Sequence, residues 1–143
     1  MMDGVLRRAD VGLDLAERIV AGTRLEAAGR GVAMGIAVVD RGGLPIMTAR
    51  MDGAQIPAVD LAVDKAYTAV AFGAPTEAWA QSTAPGGSDW GLSTALAGRI
   101  VVIAGGLPIL VDGELAGAVG VSGAAAPVDR ACAEAGLRAA GLG

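Results

Sequence analysis

The sequence predicts one α+β domain in which helices flank a single antiparallel sheet of five strands. Three observations support this fold class: a length of 143 residues, apolar runs with helical or strand periodicity, and two hairpin turn signals. A chain of this length fits the usual size of one domain. The elements follow the order helix, two strands, two helices, three strands, helix. Two hairpin groups separated by helices are typical of an α+β layer architecture.

The first helix is expected to begin near Asp10. Apolar and small residues recur there at three- and four-residue spacing, as helical periodicity requires: Leu13, Ala16, Val20, Thr23 and Ala27. Gly29 or Gly31 is expected to end the helix. We therefore assign residues 1–9 to a flexible N-terminus and residues 10–143 to the folded domain.

A hairpin follows the first helix. Residues 32–40 and 44–50 are short runs rich in β-branched and apolar side chains, and Asp40–Gly43 lies at their junction. Glycines supply the positive φ angles of tight turns, so the pattern predicts two paired strands. The corner at residues 51–54 then turns the chain away from the sheet.

The next helix separates the two hairpin groups. Pro57 suits its first turn, because the missing N–H would have no partner there. Gly73 is expected to end the helix, and Thr76 is expected to cap a second, shorter one.

Three more strands and a closing helix complete the chain. The strands are expected at residues 99–103, 107–111 and 114–123. Asp112–Gly113 predicts the hairpin turn between the last two. In the final strand, Ala116, Ala118 and Gly120 form a face of small residues, which indicates that a helix or a ligand packs very close to it. Residues 127–142 form the closing helix.

The composition excludes several partners. The formal net charge is −4 and the arginines are scattered, so we expect no nucleic-acid partner. No apolar run is long enough for a membrane span or a signal peptide, so we expect a cytoplasmic protein without a membrane partner. Because 53% of the residues are hydrophobic, we expect part of the apolar surface to lie in the interface of a homo-oligomer.

Histidine is absent from the sequence. Its absence excludes Ser-His-Asp and Cys-His relays and any His-bearing zinc site, and we predict no metal site. The glycine pairs lack the residues that complete a phosphate-binding loop, so they are read as turns. The single cysteine, Cys132, excludes an internal disulfide and is expected to be a buried helix residue.

Six blocks of the sequence stand in the order found in one protein family. They are Ile36–Gly43, Arg50–Ala54, Asp64–Ala69, Pro85–Gly87, Gly105–Ile109 and Gly117–Gly123. On these blocks the chain resembles the GlcG/HbpS family from about Asp10 to its last residue. The resemblance implies a profilin-like domain with a five-stranded antiparallel sheet, and oligomers that are often dimers assembled further. The family includes haem-binding redox sensors, proteins encoded with glycolate-use enzymes, and a domain attached to a corrinoid adenosyltransferase.

The first functional hypothesis is a small-molecule enzyme without a metal, centred on Lys65, the only lysine of the chain. Burial disfavours the charged form of an amine, and a neutral amine serves as a base or a Schiff-base nucleophile. Such an isomerase or lyase would move a proton on a small oxo- or hydroxy-acid. The candidate catalytic residues are Lys65, Asp64 and Thr68, and the candidate ligand-binding residues are Arg50, Asp52, Gly105, Gly106, Ser122 and Gly123.

The polar candidates have assigned roles. Asp64 and Thr68 are four residues apart and Lys65 and Thr68 three apart, so we expect the three to converge at one edge of the helix. A carboxylate from Asp64, Asp40 or Asp52 would tune the amine. Arg50 would clamp a substrate carboxylate, and Thr68 and Ser122 would orient a carbonyl. A purely structural, ion-paired role for Lys65 is equally compatible with the sequence.

The second hypothesis is a non-catalytic binding or sensor module for haem or a corrinoid-type cofactor. Haem requires an apolar slot and usually an axial His, Met, Cys or Tyr. Without histidine, the conventional donors are Tyr67, Cys132, Met34, Met47 and Met51. Haem is therefore the candidate cofactor, and the absence of histidine argues against tight binding.

Overall fold

A single antiparallel sheet carries three helices in the computed structural model, which describes residues 2–143. The strands are β1 (Gly35–Asp40), β2 (Pro45–Arg50), β3 (Gly106–Val111) and β4 (Glu114–Ser122). The helices are α1 (Leu13–Gly29), α2 (Ala58–Phe72) and α3 (Ala126–Ala139). The strand order is β2-β1-β4-β3, so β2 and β3 are the edges. Residues 73–105 connect α2 to β3 and contain three short 3₁₀ turns.

The two faces of the sheet carry different helices. Along β1, Ile36 and Val38 pack in a core cluster with residues of α1 and α3, whereas Ala37 and Val39 pack with residues of α2. This alternation is the period-two pattern of a strand that is covered on both faces. The domain therefore has α2 on one face of the sheet and α1 with α3 on the other, which confirms the α+β class.

Both predicted hairpin turns are confirmed. In the first, Asp40 Oδ1 accepts hydrogen bonds of 2.9 Å from the N–H groups of Gly42 and Leu44. In the second, Asp112 and Gly113 have φ angles of 52° and 80°, the two positive values that a type I′ turn requires. The helix predicted after Pro57 ends where expected, at Gly73, which has a left-handed φ of 65°.

The prediction of five strands is wrong, because the described chain contains four. The missing strand is the segment at residues 99–103, which forms no ladder with the sheet. Two threonine side chains take up part of its backbone hydrogen bonding instead. Val101 N donates to Thr68 Oγ1 at 3.0 Å, and Thr76 Oγ1 donates to Ile103 O at 2.6 Å. A run that looks like a strand in sequence is thus satisfied by side chains.

The second of these threonines also differs from its predicted role as a helix cap. Thr76 begins a 3₁₀ turn, and the capping position before it is Pro75. Its hydroxyl group lies at the outer edge of β3, where it accepts a hydrogen bond of 3.1 Å from Gly106 N. Two residues further along this edge strand stands Pro108, which has no N–H.

Helix α2 lies unusually close to the sheet because glycines stand beneath it. A Cβ atom on Gly120 would collide with the carbonyl oxygen of Ala62 and lie 2.7 Å from Ala66 N. The predicted close packing against Ala118 and Gly120 is therefore confirmed, with a helix as the neighbour. Ala116 is an exception, since a bulge in β4 turns its side chain to the opposite face.

The N-terminal residues contact the sheet without joining it. Residues 2–12 form neither helix nor strand, and Val11 N donates to Ala116 O at 3.2 Å. The flexibility assigned to residues 1–9 stays a prediction, and Met1 lies outside the described residues. Within residues 2–143, each helix is too short or too polar to cross a bilayer.

Candidate functional site

Lys65 is buried and already has two partners. Its Nζ lies 3.0 Å from Asp129 Oδ2 and donates a hydrogen bond of 3.0 Å to Val121 O. The lysine and the aspartate are each 2% exposed. A buried ammonium group is tolerated when it is both paired and hydrogen-bonded, and these contacts supply both conditions.

Gly105 leaves room for the lysine to reach its partner. A Cβ atom at this position would lie 2.8 Å from Lys65 Nζ and 3.1 Å from Asp129 Cβ. The φ angle of Gly105 is +131°, which favours glycine independently of space. The absence of a side chain at Gly105 thus lets the Lys65 side chain pass from α2 toward α3, and ligand binding by Gly105 stays a prediction.

The carboxylate partner of Lys65 was missed by the sequence reasoning, which named Asp64, Asp40 or Asp52. The partner is Asp129 in the first turn of α3. Its second oxygen, Oδ1, accepts a hydrogen bond of 2.9 Å from Ala124 N, so both oxygens are engaged. A single lysine in an apolar helix indicates that a buried acid exists, but the sequence does not indicate that this acid lies 64 residues away.

Asp64 and Thr68 have a different neighbour from Lys65. The Thr68 hydroxyl group lies 2.8 Å from Asp64 O and 3.2 Å from Arg99 O, and the Asp64 carboxylate lies 3.9 Å from Arg99 Nε. Burial raises the pKa of Asp64, the Arg99 charge opposes that rise, and Asp60 adds to it. The structure therefore directs the Lys65 amine to Asp129 and the other two side chains to Arg99. A shared catalytic role for the three stays a prediction.

The remaining glycine and serine candidates are packed against protein. Gly106 lies beneath the Lys65 carbonyl group, where any Cβ atom would collide with it. Ser122 is 5% exposed and pairs with Gly35 across β1 and β4. A Cβ atom on Gly123 would lie 3.1 Å from Met34 Sδ. Their close contacts in the described chain are helix and strand packing, and ligand binding by them stays a prediction.

Arg50 and Asp52 lie in a groove on the other side of the sheet from α2. The groove has a volume of about 360 Å³ and lies between α1 and the end of β2. Its lining residues are Arg24, Ala28, Ala49, Arg50, Met51 and Asp52. Within residues 2–143, Arg50 forms no ion pair with Asp52 or another acid. The predicted site is thus divided into a buried part around Lys65 and an open part around Arg50.

Comparison with known proteins gives the family. Residues 11–138 match the family model described as "Haem degrading protein HbpS-like". The chain belongs to this family. An HbpS-like relationship confirms the resemblance found from the six sequence blocks.

This HbpS-like chain is similar to three proteins that indicate its relationships within the family. A 15.0 kDa protein from the dhaT-dhaS intergenic region of Citrobacter freundii is 36% identical, and the match covers 90% of this chain and 91% of that protein. The corrinoid adenosyltransferase PduO of Salmonella typhimurium is 33% identical over 76% of this chain, but the match spans only 32% of that enzyme. The crystal structure of a PduOC–haem complex is 28% identical with a TM-score of 0.90, covering 94% of this chain and 98% of that one.

A chain without histidine would need another donor if it bound haem iron. Cys132 and Met34 are fully buried, and burial, the largest effect, raises the pKa of the Cys132 thiol. Tyr67 is partly buried, and the Arg99 guanidinium lies 3.6 Å from its ring centre. Met47 and Met51 are partly exposed on or beside β2, and Met51 lines the groove. Among these donors Met51 alone lines the groove, and its Sδ already accepts a hydrogen bond of 3.4 Å from Met34 N. The residues present therefore fit the carboxylates and the ring of haem, through Arg24, Arg50 and the neighbouring alanines, better than they fit its iron.

Proposed function

We propose that this chain is a binding module for haem or a closely related tetrapyrrole. The observation that carries the proposal is its similarity, over nearly the whole chain, to a domain crystallised as a complex with haem. That domain is matched along almost all of its own length, so the comparison concerns one complete fold unit. The corrinoid adenosyltransferases are matched over only about a third of their length, so their enzymatic activity is not proposed for this chain.

The chain's own residues support a bound tetrapyrrole in two ways. Met51 lines the groove with its side chain held by the 3.4 Å contact between its Sδ and Met34 N, which would give a bound ring a fixed apolar contact. Arg24 and Arg50 line the same groove and can neutralise carboxylates. When bound, haem supplies a redox-active iron, while the protein determines its exposure and donor. These features favour a carrier or sensor over an enzyme that relies on side-chain acid–base chemistry.

Proton transfer by Lys65 has less support. A general base must reach the proton that it abstracts, and the amine of Lys65 is enclosed and donates to Asp129 and Val121. The described structure has no cavity at this amine among its main pockets. The isomerase or lyase hypothesis stays a prediction, to be tested by assaying Lys65→Met on any substrate that the wild-type chain turns over.

Titration with hemin tests the proposed function. We expect a saturable shift of the Soret band at a stoichiometry of one haem per chain, or a simple fraction if two chains share one. A parallel titration with cobalamin separates a haem module from a corrinoid module. Chain unfolded in urea is the control for non-specific adsorption of haem. A linear, unsaturable absorbance change equal to that control would overturn the proposal.

Self-association is the second part of this proposal. Ile56 and Leu44 are 98% and 67% exposed, which is unusual for large aliphatic side chains and supports a subunit interface. Light scattering coupled to size exclusion should give a mass of two or more chains. A monomer at micromolar concentration would contradict it. The cytoplasmic location stays a prediction.

A further inference from the structure

We infer that Arg24 and Arg50 bind the carboxylates of the tetrapyrrole in the groove between α1 and β2, with its ring on the apolar surface of α1. The inference rests on the proposed function and gives it a location. It uses only groups that the described structure leaves open to solvent.

The charge of the groove is the first argument. Arg24 and Arg50 are both exposed, and in the part of the chain described neither has an acid in ion-pair range. Other arginines differ in this respect: Arg99 lies beside Asp64, and Arg130 lies beside Glu77 and Glu134. Two guanidinium groups lining one groove can each donate two parallel hydrogen bonds to a carboxylate.

The apolar surface beside the groove is the second argument. A further depression of about 280 Å³ is lined by Ala21, Arg24, Leu25 and Ala28. It shares Arg24 and Ala28 with the groove, so the two are continuous along α1. Arg24 therefore stands at the boundary between an apolar strip and a second arginine. A flat apolar ring with carboxylates along one edge has the complementary arrangement.

The rigidity of the groove wall is the third argument. Met51 is fixed by two contacts with Met34: its N–H donates to Met34 O at 2.9 Å, and its Sδ accepts from Met34 N at 3.4 Å. The neighbouring Arg50 is the last residue of β2, paired with Gly35. A site on a strand end loses little conformational entropy on binding. Asp52 is the one acid of the lining, so the two arginines leave the lining with an excess of one positive formal charge.

Binding measurements on arginine variants test the inference. The variants are Arg24→Ala, Arg50→Ala and the double variant, with Arg138→Ala as the control because Arg138 is an exposed arginine of α3 outside the groove. Each groove substitution should raise the haem Kd roughly tenfold, as expected for a charge-assisted hydrogen bond to a carboxylate. Arg138→Ala should leave the Kd unchanged. Arg24→Gln and Arg50→Gln replace the alanine variants should either of these fail to fold.

Haem dimethyl ester, which lacks the carboxylates, distinguishes a lost carboxylate contact from a general loss of structure, because unfolding would weaken the binding of haem and of the ester alike. The wild-type chain should bind the ester more weakly than haem, whereas the double variant should bind the two equally. Metal-free protoporphyrin IX should show the same dependence on both arginines, because the interaction does not involve iron. Haem binding by the wild type that is unchanged in the double variant would overturn the location but not the proposed function. Absence of haem binding by the wild type would overturn both.

Discussion

Lys65 Nζ and Asp129 Oδ2 lie 3.0 Å apart with both side chains 3% exposed, and they join α2 on one face of the sheet to α3 on the other. The pair stands at the end of the sheet, where Gly105 provides the space for it. Lys65 therefore has a structural function, which is to connect α2 to α3 through an ion pair at the strand ends.

Removing one member of this pair should be severely destabilising. Lys65→Met leaves the Asp129 carboxylate buried without its cation, which should lower the free energy of unfolding by about 3–5 kcal/mol. Urea denaturation measures the change. The double variant Lys65→Met with Asp129→Asn should lose less free energy of unfolding than the two single variants added together, because it leaves no unpaired charge in the interior. Additive losses would show that the pair is not coupled.

An exposed ion pair provides the contrast. Arg138 and Glu134 of α3 lie 3.9 Å apart, with side chains 60% and 42% exposed. Arg138→Ala should change stability by less than about 1 kcal/mol. If Lys65 had a catalytic function and no structural one, Lys65→Met would instead be as stable as the wild type and inactive.

Gly120→Ala should prevent α2 from docking at its present distance. The new methyl group would collide with the backbone of Ala62, which cannot rotate away as a side chain could. We expect a loss of several kcal/mol, comparable to the most damaging core substitutions. Gly29→Ala is the matched control, because a Cβ atom there meets nothing within 4 Å and helix propensity favours alanine. Equal thermal stability of the two variants would contradict this account of the helix–sheet distance.

Thr68→Val should loosen the segment at residues 99–103 while preserving the shape of the side chain. The substitution removes the acceptor of the Val101 N–H and the hydroxyl proton that lies between Asp64 O and Arg99 O, a loss of about 1–3 kcal/mol. Hydrogen exchange at the Val101 amide should accelerate. Thr94→Val is the control, since the exposed Thr94 hydroxyl bonds only to Gly91 O nearby. If the exchange rate of the Val101 amide is unchanged in Thr68→Val, the Thr68 hydroxyl does not hold this segment in place.

Asp64 should make the stability of the folded chain depend on pH, because burial raises the pKa of its carboxyl group. Its pKa is raised in the folded state, chiefly by burial, so between the ordinary and the raised value the folded chain binds more protons than the unfolded chain. The free energy of unfolding attributable to this group therefore falls as the pH rises through that window. Asp64→Asn should flatten this part of the profile, measured by urea denaturation at closely spaced pH values. The effect should be small, because the side chain is 31% exposed and Arg99 opposes it. Parallel profiles for the two proteins would disprove it.

Cys132 should react with thiol reagents only after unfolding. The side chain is fully buried, and burial raises the pKa of its thiol, so the reactive thiolate is scarce in the folded state. At neutral pH and high concentration of a disulfide reagent, the rate of labelling should equal the unfolding rate and should no longer depend on the reagent concentration. Rapid stoichiometric labelling of the native protein would contradict the burial. Cys132→Ala then serves to show that haem binding does not require this thiol.

The sequence was sufficient for most local structure and insufficient for long-range pairing. The first helix was expected to end at Gly29 or Gly31 and the second at Gly73; their last residues are Gly29 and Phe72, and Gly31 and Gly73 have left-handed φ angles of 71° and 65°. These ends and the Asp112–Gly113 turn follow from local backbone preferences, and the structure confirms them. The strand expected at residues 99–103 did not form, because its fate depends on hydroxyl groups of Thr68 and Thr76, outside that segment.

The candidate site shows the same limit. That Lys65 is special could be inferred from its isolation among apolar residues, whereas its partner depends on how α3 returns to the sheet. Arg50 and Asp52 were named from sequence, but Arg24 was not, because its approach to β2 requires the packing of α1 against the sheet. Spacing within one helix thus grouped Asp64, Lys65 and Thr68, whose side chains take different directions in the fold.

The outer edge of β3 has a consequence for aggregation. A free strand edge is a template on which another chain can add a strand, as happens in fibrils. Here the outward N–H of Gly106 is already bonded to the Thr76 hydroxyl, and Pro108, on the same outward side, has none to offer. An incoming strand would find few donors along this edge and would have to displace Thr76. Misassembly by sheet extension is thereby discouraged at β3, which leaves the β2 edge and the helical and loop surfaces as the routes by which copies of this domain can meet.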